Sequence, residues 1–272
     1  MNTNLTDKID SLPPLPQTII DLEEFKRSSN KTPEALEIII AKDPLIVSTL
    51  LKVANSAMFG FNSSVDTLAR ALGLLGVNFT LSIAFGSAIK NSLDTDLKAY
   101  NLASDDFMRI SNMASNLISL WVAKIDIELK EELLLPVFLQ ETGKFIVSDI
   151  ANDENKSEEF LNALQNDSDT ASVEKKFFDL TTSEVTASIF KHWNLSEKLI
   201  EMIKYVDDLE NCPEEYKKET QILHVAKIAC NVIDPLSDKF CEDAVTKATE
   251  LGLEVGPLKK ALEKMQDRLL DE

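Results

Sequence analysis

The sequence predicts an all-α protein. The 272 residues hold only 7 Gly and 9 Pro, too few turn formers for a sheet-rich chain. Aromatic residues are 7% of the total, and apolar residues recur at helical spacing over long stretches. Two helix-start signals, Thr32-Pro33-Glu34 and Asp43-Pro44, stand close together near the N-terminus. An apolar content of 44% suits one large domain or two small ones.

The first element follows a proline-stiffened lead, Leu12-Pro13-Pro14-Leu15-Pro16, and is a helix expected to bury Ile19, Ile20, Leu22 and Phe25. Thr32 then supplies an N-cap hydroxyl and Pro33 the first helical residue, with Leu36, Ile39 and Ile40 on one face. Asp43-Pro44 opens the next helix, apolar at Leu45, Ile46, Thr49, Leu50, Val53 and Ala57, with Gly60 as its expected stop. Asp66 is the expected cap of TLARALGLL, and Gly76-Val77-Asn78 turns the chain into NFTLSIAFGSAIKNSL. The small residues Gly73, Gly76, Ala84, Gly86 and Ala88 suit close helix contacts.

Asp94–Asp106 reads as a polar connection. The helix after it turns Phe107, Ile110, Ala114, Leu117, Ile118 and Trp121 toward a core. In LLLPVFLQETGKFIVSDI, a helix beginning at Pro136 avoids a break, yet carries Gln140, Glu141 and Lys144 amid apolar residues. NDENKSEEFLNALQNDSDTASVEKKFF is the most polar stretch and should include an exposed helix. Two helices joined at Asn194-Leu195 follow, the second with Ser196 as a candidate cap. A helix over ETQILHVAKIACNVID comes next, then two or three short ones. The expected organisation is an N-terminal helical lobe at 1–95, a second helical lobe at 96–235 and a C-terminal helical extension at 236–272.

The formal net charge of −18 is unevenly placed. Residues 1–90 hold 8 Lys and Arg against 9 Asp and Glu, and the remainder holds 20 against 37. Such a surface repels nucleic-acid phosphates and anionic lipid, so neither nucleic acid nor membrane is an expected partner. No run approaches the roughly 20 apolar residues of a membrane span, and the first ten residues lack an apolar signal core. A cytoplasmic location is expected. Cys212, Cys230 and Cys241 show no CxxC spacing and read as reduced thiols.

Chemistry-bearing motifs are sparse. There is no G-x-S-x-G elbow, P-loop or G-x-G-x-x-G. The two histidines, His192 and His224, read as a helix-end residue and a satisfied, buried or half-buried one. Asn55-Ser56 has two readings: satisfaction of helix-end or loop backbone, or a polar recognition point on the lobe surface.

Several motifs recur in a family order. LPPLP is followed by Asp43-Pro44-Leu45, then Val53-Ala54-Asn55-Ser56-Ala57 with Phe59-Gly60, then Val65, Ala69-Arg70-Ala71 and Leu75-Gly76. FLQETGKFI, SEVTASIFKHWNLSEKLIEMIKY and ILHVAKIA come later. As a set, from about Leu12 to Val232, they resemble the HDOD domain, the HD-related output domain of bacterial signalling proteins. That resemblance implies an HD-like helical fold with an N-terminal helical lobe. It also implies kinship with metal-dependent phosphohydrolases, in which a His-Asp pair, an earlier His and a later Asp hold a divalent metal.

By the resemblance, the His-Asp pair falls on Gln140-Glu141, with Gly143-Lys144 kept; the earlier His falls on Ser111 and the later Asp on Lys227. Amide, hydroxyl and ammonium are poor substitutes for imidazole and carboxylate. No catalytic residue, metal ligand or cofactor is therefore expected. The expected function is non-catalytic signal transduction through a protein partner or a small signalling ligand; the alternative is a phosphohydrolase-like enzyme with an altered site. No receiver, kinase or cyclic-dinucleotide module is visible, so input is expected by contact with another molecule. Candidate binding residues are Asn55, Ser56, Gln140, Glu141 and Lys227, with a partner face near Asn55-Ser56. Lys227 is expected to pair with Glu141, Gln140 or Ser111 completing the hydrogen bonds; the other possibility is that Lys227 extends to solvent.

Overall fold

The computed structural model describes residues 3–60, 64–93 and 95–270, and its regular elements are helices. From the N-terminus these are α1 (Thr3–Asp10), α2 (Gln17–Arg27), α3 (Pro33–Ile40), α4 (Pro44–Ala54), α5 (Leu68–Leu75) and α6 (Val77–Ser92). Next come α7 (Ser104–Trp121), α8 (Ile127–Leu139), α9 (Lys144–Asp153) and α10 (Ser157–Asn166). The chain continues through α11 (Thr170–Phe178), α12 (Thr182–His192), α13 (Glu197–Lys204) and α14 (Lys217–Ala229). The C-terminal part is two helices, α15 (Asp238–Glu250) and α16 (Val255–Leu270), longer than the short ones expected.

The first helices start where side-chain chemistry dictates. The Thr32 hydroxyl accepts the Ala35 N–H, and the Asp43 carboxylate accepts those of Leu45 and Ile46. The cap of α5 is Thr67 rather than Asp66, its hydroxyl accepting the Arg70 N–H. Helix α4 stops at Ala54, well before Gly60, because the Asn55 amide turns back to the Leu51 carbonyl and across to Val65. Gly76, at φ +79°, lets α5 and α6 meet with a bend of 117°. Ser196 stands at the start of α13 without a side-chain capping bond.

Buried side chains from Leu5 to Met265 form one large core, with a small separate cluster of Ala54, Val65 and Ala71. Phe107, Ile110, Ala114, Leu117, Ile118 and Trp121 all face it, as their spacing predicts. Ile20, Ile38 and Leu45 instead face outward, because a helix docks only one stripe and α2, α3 and α4 are covered on one side. Gly86 gives α8 room: a Cβ there would lie 2.1 Å from the Phe138 ring. Pro136 lies inside α8, whose start is set by Asp126 accepting the N–H groups of Glu128 and Leu129. The lost Pro136 donor is tolerated because Leu133–Leu139 is buried among neighbouring helices. Of the polar connection, Asp94 lies outside the described residues, and Lys98–Tyr100 forms a 3-10 turn that buries Tyr100.

Both ends of the chain cross to the opposite half. Helix α1 packs on α9 and α12, with Lys8 paired to Asp149 and Asp153. The Trp193 indole donates to the Pro13 carbonyl at 3.0 Å. Helix α16 packs on α7 and sends Arg268 to the carbonyl of Met58, beyond the end of α4. Among the described residues, no single helix is long and apolar enough to cross a membrane.

Candidate functional site

The segment expected to be one helix is two. Helix α8 ends at Leu139, and Gln140–Gly143 form a tight turn before α9. The Lys144 N–H reaches back three residues to the Glu141 carbonyl at 3.1 Å, and the Thr142 hydroxyl caps the Leu139 carbonyl at 2.7 Å. Gly143 is required here because α12 crosses against its backbone. A Cβ at Gly143 would sit 2.4 Å from the Thr182 carbonyl oxygen. The Thr186 hydroxyl ties the two elements, accepting the Gly143 N–H at 2.8 Å.

This turn delivers two opposite charges into the interior. The Lys144 side chain is 2% exposed; its Nζ lies 2.9 Å from Glu141 Oε2 and 3.0 Å from Glu174 Oε1. It also donates to Thr182 Oγ1 and lies 4.6 Å from the centre of the Tyr100 ring. Glu174 is fully buried on α11 and accepts from the Tyr100 hydroxyl at 2.8 Å and from the Thr182 N–H and hydroxyl at 2.6 Å each. Burial and the Glu174 charge push the Tyr100 phenol well above its ordinary value, so it stays a donor.

A second pair adjoins the first. Lys227, on α14, donates to both carboxylate oxygens of Asp207 at 2.8 and 2.7 Å, and its Nζ is 3.8 Å from Glu141 Oε1. The Ser183 hydroxyl completes Asp207 at 2.6 Å. Burial alone would raise the Asp207 carboxyl, but the Lys227 charge overrides it and holds it at about 2. Burial likewise opposes the Lys227 charge, and Asp207, Glu141 and Glu174 together raise its pKa above the ordinary lysine value. Next to them, His224 Nδ1 lies 2.7 Å from the Val206 carbonyl, an acceptor, so Nδ1 carries the hydrogen. Burial depresses the His224 pKa, against the pull of Asp207, which favours the neutral ring.

Lys227 therefore does approach Glu141, but its nearer partner is Asp207, and Glu141 is held more closely by Lys144. None of the hydrogen bonds of this network involves Ser111 or the Gln140 side chain; Gln140 Oε1 is buried without a hydrogen-bond partner. Sequence analysis missed Glu174 and Asp207. The sign for Glu174 was present: Thr170, Val173, Glu174 and Phe178 form the buried stripe of α11, so a carboxylate occupies a core position. Asp207 lies in a turn, where no periodicity marks it.

The donor set does not fit a divalent metal. The three carboxylates enclose two ammonium groups, and Lys227 is held charged, so a cation placed among them would meet like charge. Among the described residues, no group of three or more His, Cys, Asp or Glu is arranged to hold a metal. Beside the network lies a cavity of about 650 Å³, walled by α11, α12, α14 and α15 and reached by Glu141, Lys144, Asp207 and Lys227.

Asn55 and Ser56 lie elsewhere, directly after α4. The Asn55 side chain staples the loop after α4: it donates to the Leu51 and Val65 carbonyls at 2.7 Å each and accepts the Val65 N–H at 2.8 Å. The Ser56 hydroxyl donates to the Val53 carbonyl at 2.8 Å.

Comparison with known proteins places this architecture. An uncharacterised protein of Treponema pallidum is 22% identical over 248 residues; the match covers 85% of this chain and 44% of that protein, so the chain spans less than half of its curated relative. A structure from Shewanella amazonensis, provisionally named a phosphohydrolase, superposes with a TM-score of 0.69 at 21% identity, covering 98% of this chain and 96% of the other. One from Marinobacter aquaeolei, provisionally named a signal transduction protein, gives 0.70 at 16% identity, over 98% of this chain and 59% of the other. The sequence profile of the HDOD domain matches residues 12–209, and the chain belongs to the HDOD domain family.

Proposed function

We propose that this protein is a non-catalytic regulator in bacterial signal transduction, acting by binding a protein or small ligand. One observation carries the proposal: Lys227, which by the family pattern stands where a metal-binding Asp would, is ion-paired with Asp207 and lies 3.8 Å from Glu141. Hydrolysis of that kind needs a metal-activated water, and ammonium groups supply neither the Lewis acid nor the open coordination position. The provisional name of the Marinobacter structure lends a signalling context.

The first lobe is the face we assign to a protein partner. It is close to charge-neutral, with 8 basic and 9 acidic residues in positions 1–90. Among the described residues, four of the six exposed large hydrophobics, Ile20, Ile38, Leu45 and Leu74, lie on it. An apolar, weakly charged face suits protein contact better than the strongly acidic remainder.

The test is incubation with nucleotides, cyclic dinucleotides and a generic phosphodiester in the presence of Mg²⁺, Mn²⁺ or Fe²⁺, alongside elemental analysis of the purified protein. The expected result is no turnover and no stoichiometric transition metal. Turnover that disappears in Glu141→Ala would overturn the proposal.

A further inference from the structure

Helix α1 lies where α9 and α12 pack together, and it is electrically mismatched to the surface it covers. One stripe faces inward: Leu5, Lys8 and Ile9, at i, i+3 and i+4. Leu5 and Ile9 are 5% and 6% exposed and join the main core. Lys8 pairs with Asp149 and, at 2.7 Å, with Asp153, both on α9. Burial opposes the Lys8 charge, but the two carboxylates raise its pKa, so the ammonium is kept. The other side of α1 carries Asp7 and Asp10, both exposed. The helix thus brings one basic and two acidic residues to an acidic rim on a chain of net charge −18. Lys8 is matched to that rim; the two aspartates are not.

The anchorage of α1 is also small. It has 8 residues, and isolated helices under roughly 12–15 residues are marginal, so α1 is a helix only while docked. Chain entropy opposes its ordering, and two buried aliphatic side chains with one ion-paired lysine favour it. The chain beyond it is held independently. Leu12 and Leu15 pack on the core, and the Trp193 indole holds the Pro13 carbonyl. The HDOD profile also begins at Leu12, so α1 lies outside the shared domain and covers a surface that belongs to it.

We propose that the groove between α9 and α12 is a docking site for a basic amphipathic helix of a protein partner, and that α1 occupies it in cis until displaced. The partner helix presents aliphatic side chains at i and i+4, as Leu5 and Ile9 do, and a lysine or arginine at i+3, as Lys8 does. Its flanks are basic where α1 has Asp7 and Asp10, so its charge complements the whole rim. The short tether gives α1 a high effective concentration, which excludes helices that match the groove no better than α1 does. This surface is separate from the near-neutral face assigned above, and its failure leaves the non-catalytic reading standing.

Two measurements on the full chain test it. In native-state hydrogen exchange, the amides of residues 7–9 should exchange about tenfold or more faster than those of α9 and α12. Fluorescence anisotropy at about 0.15 M NaCl uses a labelled alanine-based peptide, long enough at about 16 residues to be helical. It carries Leu, Lys and Ile at the spacing of Leu5, Lys8 and Ile9, with further lysines on its flanks. The Leu5→Asp/Ile9→Asp chain, its α1 undocked, should bind this peptide one to one, about tenfold or more tighter than wild type. Adding Asp149→Asn and Asp153→Asn should weaken that binding about tenfold. Protection of α1 equal to that of α9, equal binding of a scrambled peptide of the same composition, unchanged affinity without the two aspartates, or no saturable binding by the folded variant would each overturn the proposal. A wild-type mass that doubles with concentration, and stays single in the Leu5→Asp/Ile9→Asp chain, would also overturn it by assigning the groove to α1 of a second copy. If that variant does not fold, excess peptide added to wild type decides: it should speed exchange in α1, and unchanged exchange overturns the proposal.

Discussion

Replacing Lys227 by Met removes the ammonium that neutralises Asp207 while keeping most of the stem volume. Asp207 would then be a carboxylate with 4% side-chain exposure, the Ser183 hydroxyl and no direct counter-charge. Breaking one partner out of a buried pair costs about 3–5 kcal/mol. The Asp207 pKa gives a separate measure. A carboxyl held at about 2 against its ordinary 3.8 corresponds to roughly 2.5 kcal/mol in favour of the charged, folded form. That contribution is complete above pH 4 and is lost as the pH falls through 2, because the folded-state pKa is the lower one. In Lys227→Met, burial is no longer offset by a direct partner, so the Asp207 pKa rises and the sign reverses: the variant is penalised most where Asp207 must ionise. Urea unfolding of wild type, Lys227→Met, Asp207→Asn and the double variant at pH 7 and pH 4 reads these terms. The expected deficit of Lys227→Met is about 3 kcal/mol or more at pH 7, smaller at pH 4, and largely recovered in the double variant. Single-variant effects that add within about 0.5 kcal/mol would refute the reasoning.

Gly86→Ala should destabilise by about 1–3 kcal/mol, seen as a lower urea midpoint, since its Cβ would meet the fully buried Phe138 ring at 2.1 Å; Phe138→Leu in the same chain should recover part of the loss. Asn55→Ala should cost about 1–3 kcal/mol and speed proteolysis near Ser64, because the two hydrogen bonds that hold Val65 to the end of α4 are lost. The three thiols are buried, and burial pushes Cys241 up to about 11 and Cys230 further. Ellman-type labelling at pH 8 should therefore be slow in the native protein and complete in denaturant, and a fast native phase at either residue would contradict their packing.

Where the sequence was informative, local chemistry governed. Thr32-Pro33 and Asp43-Pro44 start helices because side chain, amide and proline lie within a few residues of one another. The stop of α4 was misplaced because Asn55 is recruited by Val65, ten residues away, a contact that helical periodicity does not encode. Pro136 was misjudged for a similar reason: the packing of Leu133–Leu139 outweighs one missing hydrogen bond. At the candidate site, Glu141 and Lys227 were identifiable through the family pattern. Their actual partners, Lys144 and Asp207, depend on how the turn at Gln140–Gly143 and the segment after α13 are brought together. Glu174 was hidden by the acidic composition around it, although its place in the stripe with Val173 and Phe178 marked it as interior.

The crossing of the chain ends has a consequence for synthesis. Arg268 closes on the carbonyl of Met58 from 210 residues away, and Trp193 on Pro13 from 180. At about 5–20 residues per second on the ribosome, the Met58 loop waits roughly 10–40 s for its guanidinium to emerge. During that interval the Met58 loop lacks its Arg268 contact, and for the first part of it Pro13 still awaits its indole. A holdase able to occupy the Asn55–Gly60 loop for that time would guard the stretch of translation in which this chain is most open to misassembly.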